Sequence, residues 1–531
     1  MKKYLKHSVY LAILLSSISA GAVYAEVHDY DKPVSYDEVL NVRGKNQTYI
    51  FNEGVEFKGG KYARWNSTSS LDIGRTASVA MNIGKKDSDK KYVGKFLGEV
   101  TALEIENGLV NNRTSLTIDA NGGNLHFENT PIPESHLPQY PSYDKEADIN
   151  LINIGDYSTV NINAKSMTLK TNRLHSGDFQ NLSVGKGAIV NINLNGGDFV
   201  SQSFDREDNG YYCSGRNDGI KVESATEAPS IFNVKAENVK IYKESGHDDA
   251  IGLIVYGNNK NGVNLNAKEK LSINGFSTGI DYRYGGNLTL NGKVIEVFSK
   301  DAPLASKGEE QLSVGISVDS WNDENTVMAN IGTSGITESI HIKATRVIKA
   351  AGKGEMVLQA KTITFENNSY DSDPGDRSNY VFDVRDGMHF SAQGNQINVI
   401  ASNFKNYADV CIKEGFFNID AKKLYFENAK WNVYNEAVCD LNANEIIIEN
   451  SKAISVTNSK FTAKAEKIYI TSEDDLWECD YYDGNSKEKS KVDLEANELK
   501  INTDDDDFIF KAYKNSSIDV KANYSDLNGY I

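Results

Sequence analysis

Two groupings of acidic residues in the sequence have the types needed for chemistry. Gly246-His247-Asp248-Asp249 sets two acids side by side, and Asn502-Thr503-Asp504 offers a third. Paired acids of this kind supply the general acid and general base that cleave glycosidic bonds. They lie about 250 residues apart in the chain, so that chemistry needs a fold that brings them together. Asp504 to Asp507 form an acidic run, and calcium takes oxygen ligands. The run lacks both a glycine-spaced ligand loop and a nonapeptide repeat. It is therefore expected to be a solvated loop, as is Glu473-Asp474-Asp475.

Other reactive patterns are sparse. His28, His126, His136, His175 and His341 stand singly, and there is no HExxH, CxxC or P-loop pattern. Cys213, Cys411, Cys439 and Cys479 are too few to form a disulfide scaffold. Cys411 and Cys439 lie one repeat apart but at different phases relative to Ala421 and Ala443, which favours buried free thiols over a bridge. Tyr282, Tyr284, Trp321, Tyr370, Trp431, Tyr434, Trp477, Tyr481 and Tyr482 have two readings. They stack internally, or those in loops form a strip that binds carbohydrate or protein. No catalytic, cofactor-binding or metal-ligating residue is assigned, and the chain is expected not to be an enzyme.

The elements that would position these residues follow from a recurring phrase: an alternating strand, an Ala or Gly, a few polar residues, then a second short alternating strand. It reads Val160-Asn161-Ile162-Asn163-Ala164 with Met167-Thr168-Leu169, and Val263-Asn264-Leu265-Asn266-Ala267 with Leu271-Ser272-Ile273. It returns as Phe417-Asn418-Ile419-Asp420-Ala421 with Leu424-Tyr425-Phe426, and as Val492-Asp493-Leu494-Glu495-Ala496 with Leu499-Lys500-Ile501. Copies recur about every 22 to 31 residues, a solenoid period. A third strand lies between phrases, as at Gly279-Ile280-Asp281-Tyr282 and Val381-Phe382-Asp383-Val384.

Alternation with period two turns apolar residues to one face and polar residues to the other. One such strand cannot bury its apolar face alone. Coiling the chain so that equivalent strands stack closes an apolar interior and pairs each backbone N–H and C=O with the turn above or below. The expectation is an all-β, right-handed parallel β-helix of roughly 18 coils, on the order of 90 Å long at the usual inter-strand spacing. Such a stack sets Asp248 and Asp504 about ten coils apart, where they cannot meet.

Residues 1–25 read as a secretory leader, with Lys2, Lys3 and Lys6 before the apolar Val9–Ile18 and a cleavage site after Ala25. Its loss removes three lysines and no acid, taking the formal charge from −17 to −20. That balance argues against a nucleic-acid partner. Residues 26–60, rich in aromatics and out of phase with the repeat, are expected to cap the N-terminal end. Residues 61–531 are expected to form the β-helix, which ends without a C-terminal cap or barrel.

The leader, the Ala-punctuated strand pairs and the scarcity of cysteine together resemble the passenger region of bacterial autotransporters. The likeness covers about residues 60 to 523 and lies in the repeat rather than in any catalytic signature. It implies Sec-dependent export to the cell surface or medium, and an outer-membrane translocator in cis or in trans. It also implies a non-catalytic role in adhesion or surface coverage, with extracellular protein, glycan or sibling cells as partners. The alternatives are a pectinase-like enzyme and a structural stalk for a further domain. The acidic motifs resemble those of polygalacturonase-like enzymes but stand in the reverse order, which weakens the enzymatic alternative.

Overall fold

The computed structural model describes residues 25–529 except 59–68, 85–92, 99–100, 130–148, 174–178, 206–215, 225–227, 245–249, 258–261, 304–309, 321–324, 369–379, 402–407, 453, 473–476, 481–488, 504–508 and 513–515. Among these residues the regular structure is β-strand throughout, arranged as a parallel-stranded, solenoid-like stack with three strand positions per turn. The first position begins with Glu26–Tyr30 and the second with Val34–Tyr36. In many turns one long strand, such as Phe416–Glu427 or Lys491–Asn502, runs through both. These two positions therefore merge into one 26-stranded sheet. The third forms a separate sheet of 16 strands, from Leu40–Val42 to Phe510–Ala512.

Strands pair residue for residue with their equivalents one turn away. Ser158–Ala164 lies between Thr114–Asp119 and Ile189–Leu194, parallel to both. The only antiparallel pair among the described strands joins Ala302–Pro303 to Glu310–Gln311 within a connection. Inward residues stack into continuous files, one of which runs Phe390, Phe417, Cys439, Phe461, Val492. Phe57, Phe96 and Phe127 form another, with ring centroids 5.0 and 4.4 Å apart. Each large side chain buried in this way contributes about 1.5–3 kcal/mol.

The corners follow from side-chain size and backbone conformation. Ala236 stacks on Ala267, Ala421 on Ala443, and Ala465 on Ala496 and Ala522. Asn428 and Asn458 turn the chain at φ of 54° and 50°, a region asparagine tolerates better than most residues. In the third sheet Gly252, Gly279 and Gly315 occupy equivalent positions. A Cβ at Gly252 would lie 2.7 Å from the Gly279 carbonyl oxygen, and one at Gly279 would lie 2.6 Å from that of Gly315.

The aromatic N-terminal segment differs from its expected phase. Glu26–Tyr30 pairs in parallel with Gln47–Phe51, Val34–Tyr36 with Val55–Phe57, and Leu40–Val42 with Leu71–Ile73. These strands already follow the three-position pattern. Their aromatic residues mark the interior of the first turns, where Phe51 and Phe57 are fully buried.

Candidate functional site

The structure places the sequence candidates unevenly. Gly246–Asp249, Asp504–Asp507 and Glu473–Asp475 lie outside the described residues, as do His136, His175, Cys213, Trp321, Tyr370, Tyr481 and Tyr482. Trp477 and Cys479 belong to a described strand, but their side chains are not described. Asn502 and Thr503 serve the stack itself. Asn528 donates from Nδ2 to Asn502 Oδ1 at 2.6 Å, and the Thr503 N–H donates to the Asn528 carbonyl at 3.0 Å.

His28 stacks on Tyr49, while His126 and His341 sit 2.9 Å from Glu128 and Glu366. Cys411 and Cys439 are both free thiols. Cys439 is an interior residue, whereas Cys411 is on the third sheet with its Sγ 3.5 Å from the Tyr434 hydroxyl. Burial pushes both thiols up, although the Tyr434 contact partly offsets this for Cys411. Tyr282 and Trp431 are fully buried and cannot belong to a surface strip; Tyr284 and Tyr434 remain half-buried. Among the described residues no three His, Cys, Asp or Glu side chains are grouped to hold a metal.

A further string, Gly275-Phe276-Ser277-Thr278-Gly279, has the Gly-x-Ser-x-Gly spacing of a nucleophile elbow. Ser277 is buried at a corner and donates its hydroxyl to the Ala250 carbonyl at 2.9 Å. Its oxygen is engaged by the backbone of the preceding turn rather than poised above a pocket.

What the fold does bring together is its outer faces. Asn161, Asn191, Asn233 and Asn264 occupy equivalent outward positions in four successive turns. Each donates its amide to the one before, with Nδ2 to Oδ1 distances of 2.9, 2.9 and 2.7 Å. The Asn-x-Asn of the repeat is the sequence signal for this ladder. Nearer the C-terminus Lys423, Glu445, Lys467 and Glu498 occupy equivalent positions in four turns, so opposite charges alternate along the stack. Lys423 Nζ is 3.2 Å from Glu445.

The third sheet carries carboxylates that the repeat phrase does not reveal. Asp281 and Asp383 are nearly fully buried, and each is gripped by the arginine two residues along its own strand. Arg283 approaches Asp281 at 2.5 Å and lies over the Tyr256 ring. Burial pushes the Asp383 carboxyl up and Arg385 pulls it back down. The signal was the Asp-x-Arg string repeated in third-position strands. Toward the N-terminus, Asp72 and Glu104 are paired residues of adjacent turns. Burial raises Glu104 to about 7, a shift that a hydrogen bond from Asn153 reduces.

Comparison with family models, with curated proteins and with solved structures finds no match to this chain.

Proposed function

We propose that the chain is an exported, right-handed parallel β-helix acting without catalysis at the cell surface or in the medium, in adhesion or surface coverage. Right-handed closure is the form that twisted strands favour when parallel neighbours are joined by crossovers. The observation that carries the reading is the parallel stacking of all three strand positions from turn to turn among the described residues, with outward amides and charges paired between turns. Such a surface is long, regular and rigid, suited to presenting repeated contacts to a protein or glycan. The leader supports export, and the likeness to autotransporter passengers supports delivery by an outer-membrane translocator in cis or in trans.

The test is binding of the purified 26–531 fragment to extracellular-matrix proteins, mucin glycans and sibling cells. Saturable binding to one of them is expected, and failure on all three overturns the adhesive role. Turnover of pectic or mucin polysaccharide that is lost in Asp248→Ala would replace this reading with the enzymatic one.

A further inference from the structure

The first turns of the third sheet carry an unbalanced charge cluster. Their strands are short: Leu40–Val42, Leu71–Ile73 and Leu103–Ile105 have three residues each, whereas Ile149–Ile154 in the next turn has six. Short strands make fewer inter-turn backbone hydrogen bonds, so side-chain interactions carry a larger share of cohesion between these turns. Arg43 spans them. It donates to Asp72 Oδ2 at 2.9 Å and to Glu106 Oε1 at 2.6 Å. It crosses the intervening turn at Gly74, where any Cβ would overlap the arginine side chain.

Glu104 lies beside this bridge, and no described residue gives it a cation of its own. Asp72 is its neighbour one turn back, and Glu106 is two residues along. One turn ahead, Asn153 donates from Nδ2 to Glu104 Oε1 at 2.8 Å. The orientation of that amide is fixed in turn by Asn150, which donates to Asn153 Oδ1 at 3.3 Å. Asp156, in the turn that follows, accepts the Lys186 backbone N–H, and the second Glu106 oxygen accepts that of Arg75. Among the described residues facing the cluster, three carboxyls therefore share one guanidinium, and the middle one is held by a neutral amide.

We propose that Glu104 is a proton-operated latch on the N-terminal turns: protonated, it lets Arg43 and Asn153 clamp four successive turns together; ionised, it places a largely buried charge beside Asp72 and Glu106 and loosens those turns. The latch tightens in acid and loosens in alkali. A carboxyl whose folded-state pKa is raised contributes stability that is fully present below its unfolded value. That stability is lost as pH rises through the folded value, here about 7. An exported protein meeting media on either side of neutrality would thus carry an end whose firmness reports the local pH.

Hydrogen exchange of the whole chain between about pH 5 and 9, corrected for intrinsic rates, reads the latch directly. Protection of amides in Leu40–Val42, Leu71–Ile73 and Leu103–Ile105 is expected to fall at least about tenfold across neutrality, the equivalent of one pKa unit. Protection in Phe416–Glu427 serves as the internal reference and should hold. Glu104→Gln, which keeps the neutral form, is expected to remove the dependence while retaining the acid-side protection. Asp72→Asn keeps Glu104 but removes its charged neighbour, and is expected to move the transition to lower pH. A flat profile in the unaltered protein, an unchanged profile in Glu104→Gln, or an unmoved transition in Asp72→Asn would each overturn the proposal.

Discussion

The Asn161–Asn264 ladder and the Lys423–Glu498 ladder solve one problem in two ways. In both, residue-for-residue stacking forces like positions of successive turns to lie about 4.8 Å apart. An amide column meets this by chaining one donor to one acceptor, so identical residues can repeat without limit. A charged column cannot repeat, because like charges directly opposite each other are destabilising. Sign alternation from turn to turn is its answer. The amide column is thus indifferent to salt, whereas the charged column depends on the ionic strength around it.

The difference should be confined to the outside. Phe232 lies under the amide ladder, and Trp431, on the third sheet, packs across the interior against Phe426 of a strand that carries the charged one; both are fully buried. Phe232→Ala and Trp431→Ala are each expected to cost about 3–5 kcal/mol in urea unfolding. A large disparity between them would mean that the two regions differ in their cores as well. Asn233→Ala breaks the amide column in its middle, leaving Asn191 without its donor and Asn264 without its acceptor. It should cost about 1–2 kcal/mol, with a loss that stays the same from low to high salt; a cost that shrinks with salt would show that the column is not held by amide pairing.

Acid should act on the carboxylates that flank the amide region, Glu128 foremost among them. His126, Lys170 and Asn172 all hydrogen-bond Glu128 and hold its carboxyl down at about 2. Its stabilisation is present above the ordinary glutamate range and lost as pH falls from about 4.5 toward 2. Glu128→Gln should flatten that part of the unfolding profile by about 1 kcal/mol, since the pair is partly solvated. The smallest effect is expected from Lys467→Glu, which sets three acids in a row. It should lower Tm by about 1–2 °C at low salt, and added salt should restore it. If salt does not restore it, the alternation of charge is not what stabilises the column.

Much of this was legible in the sequence. Val160–Ala164 and Phe417–Ala421 announced strand, inward face and corner, because period-two alternation has one solution once the apolar side must be covered. The aromatic residues were less legible. Tyr282 and Trp431 look like Tyr284 and Tyr434 in composition and spacing, yet the first two are buried and the others half-exposed. The N-terminal segment misled for a related reason. Phe51 and Phe57 are larger than the aliphatic residues of later copies, but they fill the same inward positions.

The sequence by itself determined that this protein is built of stacked strands with an apolar interior, because alternation and a solenoid period are properties of the chain alone. Only the tertiary structure decided which outward residues became neighbours. Irregular connections separate Asp72, Glu104 and Asn153 in the chain, yet the stack sets them one above another. Bulges change the register within a strand, as between Ala236 and Asn238, which pair with Ala267 and Lys270 of the next turn. A one-residue change of phase moves a side chain from core to surface. The Glu104 cluster and both ladders are therefore products of register, which connections and bulges set and which local sequence does not encode.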